Sequence, residues 1–175
     1  MCSSDLEPTF FFLGFKMPEP TPAILALQKV FGGPEVTGMG SSVTESALSE
    51  QSTLEQTALL CYQRFCGEIW ERFGPENWMS QWAEVYRRPP GKTGNIVEEL
   101  RGLEDHAASL AGSMILDNLD DPETARATLA SVFDDPAIER LSIFRLGDGE
   151  AYSGVLIAAD RGAGQAAVCL TFLMD

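Results

Sequence analysis

The single histidine of the 175-residue chain, His106, is a candidate for proton transfer. It lies beside a stripe of apolar residues that recurs at helical spacing from Ile96 to Met114, and it follows Glu104 and Asp105 directly. Because neighbouring positions on a helix point to different faces, these two carboxylates are not placed to act with the imidazole. General base catalysis would need a carboxylate from elsewhere in the fold, and the alternative is a structural or exposed histidine.

The cysteines predict neither a metal centre nor a disulfide framework. The chain has four, Cys2, Cys61, Cys66 and Cys169, with no paired short spacing between them. One histidine does not complete a zinc site of the usual composition. We therefore predict no metal and no cofactor. Cysteines without a disulfide pattern fit a reducing compartment, so the predicted location is the cytoplasm.

A short basic segment, residues 87–95, contains the tripeptide Gly91-Lys92-Thr93, which resembles the end of a phosphate-binding loop. Such a loop needs another glycine five positions before Gly91, where this chain has Tyr86, and it needs a preceding strand, where the spacing predicts a helix. A nucleotide site is therefore not predicted. The favoured interpretation is a solvated turn, and the alternative is contact with an acidic group of a partner or substrate. The basic side chains concerned are Arg87, Arg88 and Lys92.

An acidic run at residues 117–121 has the composition of a calcium loop but not its spacing. The loop would need glycine where Pro122 stands and glutamate where Thr128 stands. Asp121 and Pro122 instead fit the cap and the first residue of a helix. Helix capping therefore accounts for this run without a metal ion.

Aromatic side chains recur at helical spacing after Pro75, which predicts a helix that continues to Arg87. Trp78 and Trp82 belong to this row, which is typical of a buried core; the alternative is a ligand pocket or a partner groove. Arg145 and Tyr152 of the C-terminal region are polar residues that packing alone does not require, so they are candidates as well. The candidate ligand- or partner-binding residues are Trp78, Trp82, His106, Arg145 and Tyr152.

The C-terminal region predicts three strands at residues 138–146, 150–159 and 166–174, arranged as an antiparallel meander. Glycines on either side of Asp148 favour a tight first hairpin. With a two-residue loop, Phe144 would lie opposite Ser153, on one face with Val155, while the other face would carry Arg145 and Tyr152. Neither face is cleanly polar, so we expect both to be covered.

Helical patterns precede this meander. They predict helices over residues 22–31, 53–73, 75–87, 96–116 and 122–133, with a capping box that begins at Ser52 and ends at Glu55. The predicted fold class is α+β, with four or five helices packed on the three-stranded antiparallel meander. The apolar run Phe10 to Phe15 is a candidate for one added N-terminal strand.

We expect one α+β domain over residues 7–175, with a flexible loop at residues 32–52 that is rich in glycine, serine and threonine. The first six residues, MCSSDL, resemble the translation of a sequencing adapter. Our hypothesis is that they are not native and that the reading frame is of metagenomic origin, so they do not contribute to the predicted fold.

A net charge of −14 makes nucleic acid or a membrane an unfavourable partner, because phosphate groups would be repelled. Three function classes remain. The first is a small acidic binding protein (a regulator, a chaperone or an immunity-type inhibitor) whose partner is basic. The second is a small-molecule binding protein or enzyme with a pocket between the aromatic helices and the sheet. The third is a fragment of a larger protein. The first class is favoured over an enzyme because the chain displays no catalytic constellation. The sequence predicts no oligomeric state.

Overall fold

The computed structural model describes residues 19–49, 51–117, 119–162 and 165–175. Within these ranges the chain forms seven helices and five strands. Their order and bounds are α1 (Pro22–Phe31), β1 (Gly40–Ser46), α2 (Leu54–Cys66), α3 (Glu68–Phe73), α4 (Pro75–Met79), β2 (Ala83–Arg87), α5 (Ile96–Arg101), α6 (His106–Asp117), α7 (Pro122–Phe133), β3 (Arg140–Gly147), β4 (Ser153–Asp160) and β5 (Ala167–Met174). The hypothesis about residues 1–6 and the strand expected at Phe10 to Phe15 both fall outside the described residues.

All five strands form one antiparallel sheet in the order β1-β5-β4-β3-β2. The predicted C-terminal meander is confirmed, since β3, β4 and β5 are neighbours in chain order. They occupy the centre of the sheet, and β1 and β2 form its two edges. The α+β class is therefore correct, but the sheet is wider than the sequence predicted and the described residues contain seven helices instead of four or five.

Both edge strands lie where another structure was predicted. The loop expected at residues 32–52 contains β1, which pairs with β5 from Gly40 opposite Leu173 to Ser46 opposite Ala167. The helix expected over residues 75–87 ends at Met79, and β2 follows. A bulge between Glu84 and Tyr86 interrupts the pairing of β2 with β3. Because the bulge inserts an extra residue, side chains do not alternate regularly between the two faces, and the sequence lacks the period-two pattern of a strand.

The hairpin between β3 and β4 has a five-residue connection at residues 148–152, not the predicted two-residue loop. The carboxylate of Asp148 shapes it by accepting backbone N–H groups of Glu150 and Tyr152, both at 2.9 Å. Phe144 therefore lies opposite Leu156, so the predicted pairing with Ser153 and the predicted faces are wrong. A register change by an odd number of residues moves one strand's side chains to the opposite face.

Helices cover both faces of the sheet, as its two-sided apolar pattern predicted. One face carries Ile143 and Ile157 and packs against α1, α5, α6 and α7. The opposite face carries Phe144 and Leu156 and packs against α2, α3 and α4. We call these two sides the α5–α7 face and the α2–α4 face. This three-layer arrangement explains why the central strands have almost no exposed residue.

Two long helices predicted from sequence are each divided at a glycine. Gly67, with a φ of 57°, separates α2 from α3, and Gly102 ends α5 before α6 begins at His106. The capping box of α2 uses Thr53 and Gln56, one residue later than predicted. Among the helices of the described residues, none has the length and apolar character needed to cross a membrane.

Candidate functional site

The predicted aromatic residues lie in a packed cluster on the α2–α4 face. Trp78 is only 1% exposed, and its indole N–H donates to the carbonyl oxygen of Ile69 at 3.0 Å. The Tyr62 ring contacts it edge-on, with the ring centres 6.5 Å apart. The Tyr62 hydroxyl donates to the Trp78 carbonyl at 2.9 Å and accepts the Gly147 N–H at 3.2 Å. These contacts place Trp78 in the hydrophobic core of this face.

Trp82 and Tyr152 extend the same cluster toward the surface. The Trp82 ring stacks on Phe144 with centres 4.7 Å apart and on Tyr62 at 5.7 Å. Its indole N–H donates to Glu55 at 3.2 Å, and the Tyr152 ring lies 5.5 Å from that of Trp78. Stacked rings thus occupy the space between the helices and the sheet where a ligand pocket was a possible interpretation of the sequence.

His106 and Arg145 do not join the aromatic cluster. His106 is the first residue of α6 and is exposed, and its imidazole forms no hydrogen bond with other described residues. Arg145 donates to Asp105 at 2.5 Å and to the Gln81 carbonyl at 2.9 Å, so it has a carboxylate partner. The carboxylate of Asp105 also accepts the Ala108 N–H at the start of α6. The five predicted site residues therefore do not converge on one site: the structure brings together Trp78, Trp82 and Tyr152 only.

A buried polar network lies on the α5–α7 face. The side chains of Arg88 and Glu99 are only 8% and 2% exposed, and they form a bidentate pair. Arg88 also donates to the Phe133 carbonyl at 2.8 Å, and the Tyr86 hydroxyl donates to Glu99 at 2.6 Å. Arg88 is thus neither in a solvated turn nor free to reach a partner, because its acidic contact comes from α5 of the same chain.

An open cleft of about 340 Å³ adjoins this network. Residues 88–94 after β2 form one wall, with Lys92 exposed, and residues 134–139 between α7 and β3 form the other. Asp135 and Glu139 on the second wall are exposed. Most lining groups are polar or charged, unlike the mainly apolar lining of small-molecule pockets. The cleft therefore suits a charged group that enters from solvent.

Asp134 forms the inner end of the acidic wall. Its carboxylate accepts the Ile96 N–H at 2.7 Å and lies 3.5 Å from the guanidinium of Arg88. Burial raises the pKa of Asp134 above its ordinary value, and the Ile96 hydrogen bond and the Arg88 charge only partly oppose this. Burial acts in the same direction on Glu99, but there the hydrogen bonds from Arg88 and Tyr86 outweigh it and the pKa is lowered. The two carboxylates thus have opposite shifts around one arginine.

Sequence analysis missed Glu99 and Asp134 as members of this network. Helical spacing does place Glu99 on the buried side of α5, three positions after Ile96 and four before Leu103. A carboxylate is nevertheless expected at the surface unless its cationic partner is known, and that partner comes from another element. Asp134 directly follows the helix predicted over residues 122–133, where an aspartate is typical of a turn. In the sequence Glu99 is 11 positions and Asp134 is 46 positions from Arg88, so only the fold brings these three side chains together.

The comparisons with known proteins add no assignment. A scan against protein-family models, a search of curated proteins and a search of solved structures each found no match.

Proposed function

We propose that this protein is a small acidic binding protein whose partner is basic, of the kind formed by regulators, chaperones or immunity-type inhibitors. The supporting observation is that most arginines of the chain are already paired with its own carboxylates, while many carboxylates are not paired. Against 26 acidic residues the sequence has 12 lysines and arginines, and most of the arginines are taken up by carboxylates of the same chain. These arginines are Arg87, Arg88, Arg101, Arg126, Arg140, Arg145 and Arg161.

The α5–α7 face is the better candidate for the contact surface. Arg101 and Arg126 both bind Asp117 there, at 3.1 and 3.0 Å. Other carboxylates on this face are exposed and form no ion pair within the described residues, namely Glu98, Glu104, Asp120 and Glu123. A negative surface steers a basic partner during diffusion and raises the rate of encounter.

The α2–α4 face is also acidic, and both sides keep exposed positive charges outside the ion pairs of the described residues, which on the α5–α7 side are Lys29 of α1 and Lys92 of the cleft. Glu68, Glu71 and Glu76 are exposed on the α2–α4 face, and so are Arg64 and Arg72, which form no ion pair with other described residues. Equal numbers of carboxylates can therefore be removed from the two faces to compare their contributions to binding.

The cleft on the α5–α7 side supplies a specific contact point for this proposal. Asp135 and Glu139 line its outer part, and both are exposed and outside the ion pairs of the described residues. A lysine or arginine side chain of a partner would fit between these carboxylates and would form charge-assisted hydrogen bonds there. Lys92 on the opposite wall would at the same time repel a misplaced cation.

The test is to purify the basic proteins encoded by genes next to this one and to measure their binding calorimetrically over a range of NaCl concentrations. We expect one of them to bind, with a Kd that weakens by about tenfold or more as the Debye length falls from ~30 to ~10 Å. The triple variant Glu98→Gln/Asp120→Asn/Glu123→Gln should weaken binding at low salt.

The matched control is Glu68→Gln/Glu71→Gln/Glu76→Gln, which removes the same charge from the α2–α4 face. Glutamates of both sets lie in first helical turns, so the two variants have similar effects on helix stability. Circular dichroism would confirm that both fold. Binding that does not depend on salt, equal weakening by the two variants, or no binding to any basic neighbour would contradict the proposal.

A further inference from the structure

Two cysteines far apart in sequence meet on the α2–α4 face of the sheet. Cys169 lies in β5, directly opposite Thr44 of the edge strand β1. Cys61 of α2 packs over this pair: its sulfur accepts the Thr44 hydroxyl at 3.6 Å and lies 3.6 Å from the hydroxyl oxygen of Ser46. Cys61 and Cys169 belong to the same core cluster, and because directly opposite residues of paired strands have Cβ atoms about 5 Å apart, the contact of Cys61 with Thr44 brings it close to Cys169. The sulfur of Cys61 thus lies between two hydroxyl groups of β1 in a largely apolar core.

This surrounding favours the thiolate at Cys61. The hydrogen bond from Cys169 is the largest cause that lowers the pKa of Cys61, to about 6; burial opposes it, and Thr44, Ser46 and the charge of Arg64 add to it. The same hydrogen bond, together with burial, raises the pKa of Cys169. Of the two thiols, Cys61 is therefore the one whose surroundings favour loss of the proton.

Cys66 provides an internal comparison on the same helix. It is 3% exposed, as is Cys61, and belongs to the same core cluster. Burial alone raises its pKa to about 12. Because the two thiols are equally buried, the difference between them comes from the hydrogen-bond donors of β1 and β5.

We propose that Cys61 and Cys169 form an oxidation site, in which Cys61 reacts with a hydroperoxide and Cys169 then closes a disulfide that joins α2 to β5. A small oxidant can approach from the β1 edge, because β1 is the outermost strand and Thr44 beside Cys61 is partly exposed. This site goes beyond the proposed partner binding and does not depend on it.

The reaction balances in two steps. The Cys61 thiolate attacks one oxygen of the hydroperoxide, the S–O bond forms as the O–O bond breaks, and the leaving hydroxide or alkoxide is protonated to water or an alcohol. Cys169 then loses its proton, its sulfur attacks the sulfur of the Cys61 sulfenic acid, and water leaves with that proton. Two thiols are oxidised by two electrons in total, and the hydroperoxide is reduced by the same two.

The first test uses the whole chain with Cys2→Ser, so that Cys61, Cys66 and Cys169 are the cysteines that can react. The folded protein is exposed to hydrogen peroxide, the remaining thiols are alkylated after unfolding, and peptides are identified by mass spectrometry. We expect a Cys61–Cys169 linked peptide to accumulate while Cys66 remains alkylated. Since oxidation follows thiolate character, Cys61 should be consumed at least about tenfold faster than Cys66.

Two variants then distinguish the roles of the cysteines. Cys169→Ser should stop the reaction at the Cys61 sulfenic acid, which dimedone traps, and Cys66→Ser should leave the disulfide yield unchanged. Oxidation of Cys61 and Cys66 at equal rates in the Cys2→Ser protein would overturn the proposal. A disulfide that joins other cysteines, or no disulfide at any peroxide concentration that leaves the fold intact by circular dichroism, would overturn it as well.

Discussion

The guanidinium of Arg88 binds the carboxylate of Glu99 through both of its oxygens, with a closest approach of 2.5 Å between Nη2 and Oε1. Arg88 directly follows the edge strand β2 and Glu99 lies in α5, so this pair connects an edge of the sheet to the helical layer. Its burial makes it sensitive to the loss of either partner, since the remaining charge would be left without compensation.

We therefore expect Glu99→Gln to lower the free energy of unfolding by about 3–5 kcal/mol, measured by urea denaturation. The double variant Arg88→Met/Glu99→Leu should cost less than this, because neither charge of the buried pair is then left alone, and Asp134, the other carboxylate beside Arg88, is partly exposed and keeps the Ile96 N–H. The control is Arg87→Gln: Arg87 is 73% exposed in its pair with Glu84, and its loss should change stability by less than about 1 kcal/mol. A Glu99→Gln cost no larger than that of the control would show that the network is solvated.

The hydroxyl of Tyr62 satisfies two buried backbone groups, the Trp78 carbonyl and the Gly147 N–H. Tyr62→Phe would leave both without a partner, and we expect a loss of about 1–3 kcal/mol in the free energy of unfolding. Tyr152→Phe is the control, since the Tyr152 hydroxyl has no hydrogen bond within the described residues. Thermal denaturation of the two variants would decide, and equal midpoints would contradict the assigned role of Tyr62.

Gly154 is required by the close approach of β4 and β5. A Cβ atom at this position would lie 2.0 Å from the carbonyl oxygen of Phe172, so Gly154→Ala should displace the strands and cost about 2 kcal/mol or more. Gly112→Ala in α6 would meet Leu100 at an ordinary 3.5 Å, and the better helix propensity of alanine should leave stability equal or raised. Urea denaturation of both variants gives their free energies of unfolding. Equal values for Gly154→Ala and Gly112→Ala would show that Gly154 has room for a side chain.

Stability at alkaline pH should depend on Cys66, whose pKa burial raises from 9.0 to about 12. A raised pKa means that the unfolded chain releases the proton first, so this contribution is complete below pH 9 and is lost as pH rises from 9 towards 12. Cys66→Ala should therefore reduce the slope of unfolding free energy against pH in that window. Part of the slope should persist, because burial also raises the pKa of Tyr62.

Chemical denaturation of the wild type and of Cys66→Ala at pH 7 and at pH 10 measures the free energy of unfolding at each pH. The comparison of interest is the change between the two pH values, since the substitution also removes packing volume at both. An identical pH dependence in the wild type and in Cys66→Ala would contradict the assigned burial of this thiol.

The sequence alone determined features that depend on neighbouring residues. Asp121 caps α7 by accepting the Thr124 N–H with its side-chain oxygen, as the Asp121–Pro122 pair predicted. The three central strands were predicted as well, because long runs of β-branched, aromatic and aliphatic residues with glycine turns have few other solutions. Coverage of both sheet faces followed from the same runs.

Only the tertiary structure decided the edges, the register and the chemistry. The polar strand β1 and the bulged strand β2 exist because β5 and β3 provide hydrogen-bonding partners, which no local pattern records. The hairpin register depends on the Asp148 loop, and the lowered pKa values of Glu99 and Cys61 depend on donors from other elements. Hydrogen bonds and pKa values respond to atoms that are close in space, and sequence separation does not limit which atoms those are.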